Sequence, residues 1–147
     1  MGAVTYPNPS VAQIVNELYI PVQLDVEKET KRVEQYMALW TPNINVVDHR
    51  ERVFFHFEGW ISPMEYTAML LCGRGHYDLH RKQFDQAVAS FKRVIDNFPE
   101  SVYAPQAHYY AAVGHYLSTH EVDRLLAGWE RLRQAYPENE WAYRTHL

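Results

Sequence analysis

From Pro9-Ser10 onward, Val11, Ile14, Val15 and Leu18 fall at i, i+3, i+4 and i+7, the apolar stripe of a short amphipathic helix. The period then drops to two. Ile20, Val22, Leu24 and Val26 alternate with Pro21, Gln23 and Asp25, which predicts a strand. Pro21 has no N–H to donate and belongs at the start of that strand or on an edge. Helical spacing returns from Glu27 to Met37 through Val33, Tyr36 and Met37, and stops before Trp40-Thr41-Pro42. Two short strands are expected at 44–47 and 53–57, joined by the polar turn Asp48-His49-Arg50-Glu51 and ended by Gly59. A strand, a crossover helix and a further strand at this spacing favour parallel pairing with a right-handed crossover.

Beyond Ser62 every signal is helical. Ser62-Pro63 offers a cap and a first-turn proline ahead of Met64, Ala68, Leu71, Cys72, Gly75 and Leu79. Phe84, Ala87, Val88, Phe91, Val94, Ile95 and Phe98 then keep one apolar stripe as far as Pro99. Helices at about 102–118 and 121–135 follow, and a last short one, 139–146, carries Trp141 and Tyr143. Phe84…Ala87…Phe91…Val94…Pro99 returns 38 residues later as Val122…Leu125…Trp129…Leu132…Pro137. Helical hairpins repeating at such a length stack, each hiding its apolar face against the next.

Composition narrows the function classes. Apolar residues make up 47% and charged residues 22%, a globular balance. A net charge of −4 gives no electrostatic case for nucleic acid or an anionic membrane, and no apolar run approaches the roughly 20 residues that span a bilayer. Neither is expected as a partner. The first nine residues lack the basic and apolar regions of a signal peptide. Cys72, the single cysteine, permits no internal disulfide and no multi-thiolate metal site. A soluble, cytoplasmic protein is the expectation, or one of the cell envelope if the natural product extends upstream of Met1.

Gly75, Phe84, Ala87, Phe91 and Pro99, and then Tyr109, Ala112, Tyr116, Trp129 and Pro137, are spaced so that the second half resembles tetratricopeptide repeats. The proline-ended stretches 96–101 and 134–139 resemble their bacterial variety. The segment Tyr19-Ile20-Pro21-Val22-Gln23-Leu24-Asp25-Val26-Glu27, the loop Trp40-Thr41-Pro42, the hairpin at 44–57, Gly59 and the helix from Ser62 together resemble the distal part of a thioredoxin-like domain. Val4-Thr5-Tyr6-Pro7-Asn8-Pro9 resembles the stretch after the active-site cysteines in thioredoxin-like proteins fused to such repeats. The resemblance implies an incomplete βαββα sheet unit over 1–61, an all-α repeat region over 62–147, and a helix at 62–82 shared by both. It implies a cis peptide bond at Pro42, and places the family's first strands and Cys-x-x-Cys upstream of Met1.

Thiol–disulfide exchange needs an attacking thiolate and a resolving thiol. Cys72 stands alone on an apolar stripe, as a buried inert thiol would. Cys72, His76 and His80 are spaced four apart on one helix, but a structural zinc site needs a fourth ligand, and two histidines on a partly exposed repeat helix is the reading adopted. No catalytic residue, metal site or cofactor is assigned. Trp40, Thr41 and Pro42 are candidates for docking an extended peptide; Tyr109, Tyr116 and Trp129 are candidates for contacts on the repeat surface. The function expected is a non-catalytic protein-interaction or scaffold module with a protein or peptide partner. The alternative is the carboxyl-terminal portion of a thiol–disulfide oxidoreductase. For the sheet, closure of 19–25 onto 44–47 is favoured over strand addition from a second chain, and weak self-association is expected.

Overall fold

The computed structural model describes residues 3–146, in which helical hairpins accompany one small two-stranded antiparallel sheet. The chain divides into two compact units, 1–70 and 71–147, the division falling inside one helix.

In the first unit, α1 (Pro9–Leu18) starts where Pro9 presets the first turn and the Asn8 carboxamide accepts the Ser10 amide at 3.0 Å. Val11 and Ile14, two members of its stripe, are buried. Nearby, Thr5 is sealed from solvent and its hydroxyl donates to the Ile61 carbonyl at 2.8 Å. α2 (Thr30–Gln35) is shorter than its helical pattern. The Asp25 carboxylate takes the Glu27 amide at 3.0 Å in a turn that delays the start, and Met37, at φ +47°, closes the end. β1 (Asn43–Val47) and β2 (Val53–Glu58) pair antiparallel, Ile44 opposite Phe57 and Val46 opposite Phe55, with an irregularity at Val47. Their turn is built on Asp48, whose carboxylate accepts the amides of Arg50 (2.8 Å) and Arg52 (3.0 Å) and the Arg52 Nε (2.7 Å). Burial alone would raise the Asp48 carboxyl, but those Arg52 and Arg50 hydrogen bonds prevail and hold it at about 2.

The alternating segment 20–26 does not become a strand. Residues 20–24 exchange no backbone hydrogen bond with any described residue, and Ile20 and Val22 are 92% and 75% exposed. Alternation makes a segment fit to pair, but a strand exists only with a neighbour to complete its ladder. Consequently neither the parallel crossover nor the closure of 19–25 onto 44–47 is present, and the βαββα unit is reduced to the β1–β2 hairpin.

α3 (Pro63–His80) begins as the sequence indicates, Ser62 Oγ accepting the Glu65 amide at 3.3 Å. In the second unit follow α4 (Phe84–Asn97), α5 (Ala104–Thr119), α6 (Val122–Ala135) and α7 (Glu140–Tyr143), with α5 packed on both α4 and α6. The 38-residue repeat is visible in the backbone. α4 and α6 have equal length, and both end at a residue near φ −135°, Phe98 and Tyr136, whose amide closes back on Val94 or Leu132. Glycine permits the close approach of helices at several crossings, two of them at Gly75 and Gly128. A Cβ on Gly75 would lie 2.6 Å from the Phe91 ring, and one on Gly128 2.5 Å from the Ala112 Cβ.

Gly75→Ala should therefore lower stability by about 1–3 kcal/mol through overpacking. In a Phe91→Leu background, where the ring is gone, the same change should cost less. Equal losses in both backgrounds, measured by urea denaturation, would show that the Gly75–Phe91 contact is not the constraint.

Candidate functional site

Trp40, Thr41 and Pro42 lie in the short connection between α2 and β1, and the Thr41–Pro42 peptide bond is cis, the state expected for it. Trp40 is 72% exposed, Thr41 is exposed and Pro42 half-buried. Glu58, at the end of β2, fastens this loop from the side. Its Oε1 accepts the Leu39 amide at 2.9 Å and the Asn43 side-chain amide at 2.6 Å, while the Gly59 amide donates to the Pro42 carbonyl at 2.8 Å. The Leu39 amide first, then Asn43, outweighs partial desolvation and holds the Glu58 carboxyl below the usual range. Gly59 adopts φ +95°, a conformation only glycine takes freely, so the chain can turn back beside Pro42. Hydrophobic pattern gives no hint of Glu58: it is one carboxylate among many until the hairpin register sets it opposite Asn43.

The three repeat candidates do not form one surface. Trp129 is only 7% exposed and belongs to the core with Leu132; its ring stacks on Tyr109, centroids 5.2 Å apart and planes at 19°. It is a packing residue, because a large ring at the middle of an amphipathic helix is what fills the gap between hairpins. Tyr109 is half-buried and also touches Tyr110 and Trp141. Tyr116 makes its ring contact with His120, at the far end of α5. Trp141 and Arg144 join Tyr109 and Tyr110 instead: Trp141 lies 5.5 Å from Tyr110, and the Arg144 guanidinium sits 4.4 Å above the Trp141 ring.

Cys72 is fully buried, its Sγ 3.9 Å from the Tyr103 carbonyl, and burial pushes its thiol well above the ordinary range. Such a thiol presents almost no thiolate. His76 points elsewhere. Its Nε2 lies 3.0 Å from the Gln106 side-chain amide, and its ring packs edge-on against Tyr110 (4.4 Å) and Phe91 (5.5 Å). Burial, aided by the charge of nearby His80, pushes His76 down to about 4. The ring is therefore neutral at neutral pH. Among the described residues no group of three or more histidine, cysteine or acidic side chains converges as a metal site, and no helix is long and apolar enough to cross a membrane.

Because Glu58 ionises more readily folded than unfolded, its clasp is complete above the ordinary glutamate range and is lost as the pH falls below it. Glu58→Gln should raise Leu39 amide exchange several-fold at neutral pH while leaving the β1–β2 amides protected. Unchanged exchange at Leu39 would show that the loop is held by other contacts. His76 gives the opposite chemistry with the same pH direction. Its folded value is depressed, so stability is complete above the unfolded value of about 6.5 and declines as pH falls toward 4, by about 3 kcal/mol at most. His76→Gln should flatten that decline in thermal melts between those pH values; an unaltered slope would assign it to other groups.

Comparison of the chain with protein-family profiles, with curated proteins and with solved structures found no match.

Proposed function

We propose that this chain is a non-catalytic protein-interaction or scaffold module that docks a protein or peptide segment, with a first part of thioredoxin-like type and a second of tetratricopeptide-like type. The observation that carries this reading is the aromatic face formed by α5 and α7. Tyr109, Tyr110 and Trp141 each keep part of their rings at the surface, fixed by one another, and Arg144 lies across Trp141. Aromatic rings held in place by neighbours give contact area with little further loss of rotamer freedom, and aromatic and arginine side chains dominate protein contacts. The equal lengths and matching ends of α4 and α6 support a stack of like hairpins, an architecture whose outer face serves recognition. The Trp40-Thr41-Pro42 loop, pinned by Glu58 with Trp40 outward, is a smaller second docking position. The sealed thiol of Cys72 argues against redox chemistry at this chain's own sulfur.

Peptides selected from a displayed library on the full chain test the reading. Trp141→Ala or Arg144→Ala should weaken their binding about tenfold, measured by fluorescence anisotropy, with the melting temperature of Arg144→Ala close to that of the parent. Peptides bound equally by both variants and by Trp40→Ala would remove both docking positions. Reduction of insulin disulfides by the chain, lost in Cys72→Ser, would replace the proposal with an enzymatic one.

A further inference from the structure

The repeat runs on past α6, and what it brings there differs from what it brings to α4. Lys82 and His120, 38 residues apart, carry the same left-handed turn, at φ +59° and +58°. Beyond the two proline-ended stretches the match holds bond for bond. The Ser101 amide donates to the Phe98 carbonyl at 3.0 Å, as the Asn139 amide does to Tyr136 at 3.1 Å. The side-chain oxygens of Ser101 and Asn139 then accept the amides of Tyr103 (3.1 Å) and Trp141 (3.0 Å). Ala104 and Ala142, next in line, are both buried. By position, α7 stands to α6 as the start of α5 stands to α4.

The two helices differ in reach. α5 runs for 16 residues and α7 for 4. α7 lies beside the last turn of α6, where Arg133 Nη1 donates to the Thr145 hydroxyl at 2.9 Å. The far half of α5, by contrast, covers an apolar corner of the hairpin before it. A Cβ on Gly114 would lie 2.8 Å from Val88 Cγ2, 3.6 Å from Leu79 Cδ2 and 3.8 Å from the Phe84 carbonyl oxygen. Shifted by 38 residues, Leu79, Phe84 and Val88 become Leu117, Val122 and Leu126, again all apolar. All three are exposed, Leu126 to 44% where Val88 is 9%. The polar neighbour repeats as well. The Ser118 hydroxyl donates to the Asp85 carboxylate at 3.2 Å; Asp123, the counterpart of Asp85, is exposed, and no described residue bonds its carboxylate.

We infer that Leu117, Val122 and Leu126 seat an amphipathic helix of a partner protein, laid along α6 as α5 lies along α4. The α4–α5 interface specifies the occupant, because this face continues the same row of hairpins, and a stack buries each apolar face under the next helix. The helix has a definite chemistry. At the crossing it carries glycine or alanine, since a Cβ already presses on Val88 one repeat earlier and Leu126 is larger than valine. Four residues on, as Ser118 follows Gly114, it carries a hydroxyl or another donor for Asp123. This surface is separate from the aromatic face: along α5, Tyr109 precedes Leu117 by about 12 Å.

The probe is a fluorescein-labelled peptide of residues 104–119, the helix that fills this role one hairpin earlier. Titrated with the full chain, it should bind with a Kd on the order of 100 µM by anisotropy, and shift the amide resonances of Leu117, Val122 and Leu126. Leu126→Lys and Val122→Lys, both at exposed positions, should each weaken binding about tenfold at an unchanged melting temperature. Gly114→Leu in the peptide should weaken it as much. Ser118→Ala in the peptide and Asp123→Ala in the chain should each cost about twofold, and together no more than either alone. Absence of binding at about 1 mM overturns the proposal, as does affinity indifferent to both lysine variants. Shifts confined to α4 would mean that the peptide displaces α5, and overturn it too. Additive losses from Ser118→Ala and Asp123→Ala would overturn the register.

Discussion

Phe91 exposes none of its surface, and its ring lies so near the Gly75 backbone that a single added carbon would stand 2.6–2.8 Å from three ring atoms. Around the same ring stand His76, edge-on at 5.5 Å, and Tyr110, stacked at 6.0 Å. A helix that must receive a large ring needs a gap in its own side chains, and Gly75 supplies it in α3. With that gap filled, α4 could not sit where it does. The neighbouring polar group would then lose its cover, because His76 is kept neutral by the burial that this packing produces. The second hairpin solves the same problem with different residues. Trp129 takes the place of Phe91, Gly128 gives way to Ala112, and Tyr109 stacks on the larger ring. Two repeats with the same backbone ends thus reach close packing through distinct interlocks.

The first unit depends far less on such interlocks. A lone two-stranded hairpin is marginal in water, and β1–β2 is held by polar fastenings at each end. Asp48 organises its turn and Glu58 its open end, each carboxylate accepting several N–H groups at once. Charge-assisted bonds to backbone amides are directional, so they specify loop shape where apolar burial is thin. α2 buries no residue, and its Arg32 and Gln35 reach Glu51 through partly exposed contacts of modest strength.

Helix boundaries are legible in the sequence wherever a cap and a stripe agree. Ser62-Pro63, Pro99 and Pro137 mark ends in the sequence and in the structure, and the hairpin strands differ by a residue at their edges. The alternation over 20–26 predicts a strand that does not form, for a physical reason: alternation reports fitness for pairing, and nothing local reports whether a partner strand stands alongside. α2 is shorter than the helical pattern from Glu27 to Met37 because the Asp25 turn competes for the same amides. At the candidate sites, Trp40 and Pro42 lie in a loop between α2 and β1, and Glu58 becomes visible only through strand register. Trp129 is a candidate for the repeat surface as an aromatic residue, although the repeat sets it opposite Phe91 on the apolar stripe; the structure buries it against Tyr109. Arg144 carried no sequence signal beyond its charge.

Among the described residues two buried polar atoms, Trp129 Nε1 and Asp78 Oδ1, lack hydrogen-bond partners, and magnitudes explain why both are tolerated. An unsatisfied indole N–H costs about 1–3 kcal/mol. Burying the same ring returns about as much, and an offset stack on Tyr109 adds roughly 0.5–1.5 kcal/mol. Trp129 is therefore at worst neutral, and it closes a gap no smaller side chain would fill. Asp78 is different because it carries charge. Its other oxygen takes the Arg74 Nε at 2.8 Å, one turn away on the same helix, and Arg74 in turn lies 5.7 Å over the Tyr77 ring. A buried pair of this kind adds little net stability, but stranding the carboxylate by removing Arg74 costs about 3–5 kcal/mol. The consequence is steric as much as electrostatic. Arg74 has to keep one rotamer along α3, which holds its guanidinium against Tyr77 and fixes the shape of that stretch of helix surface.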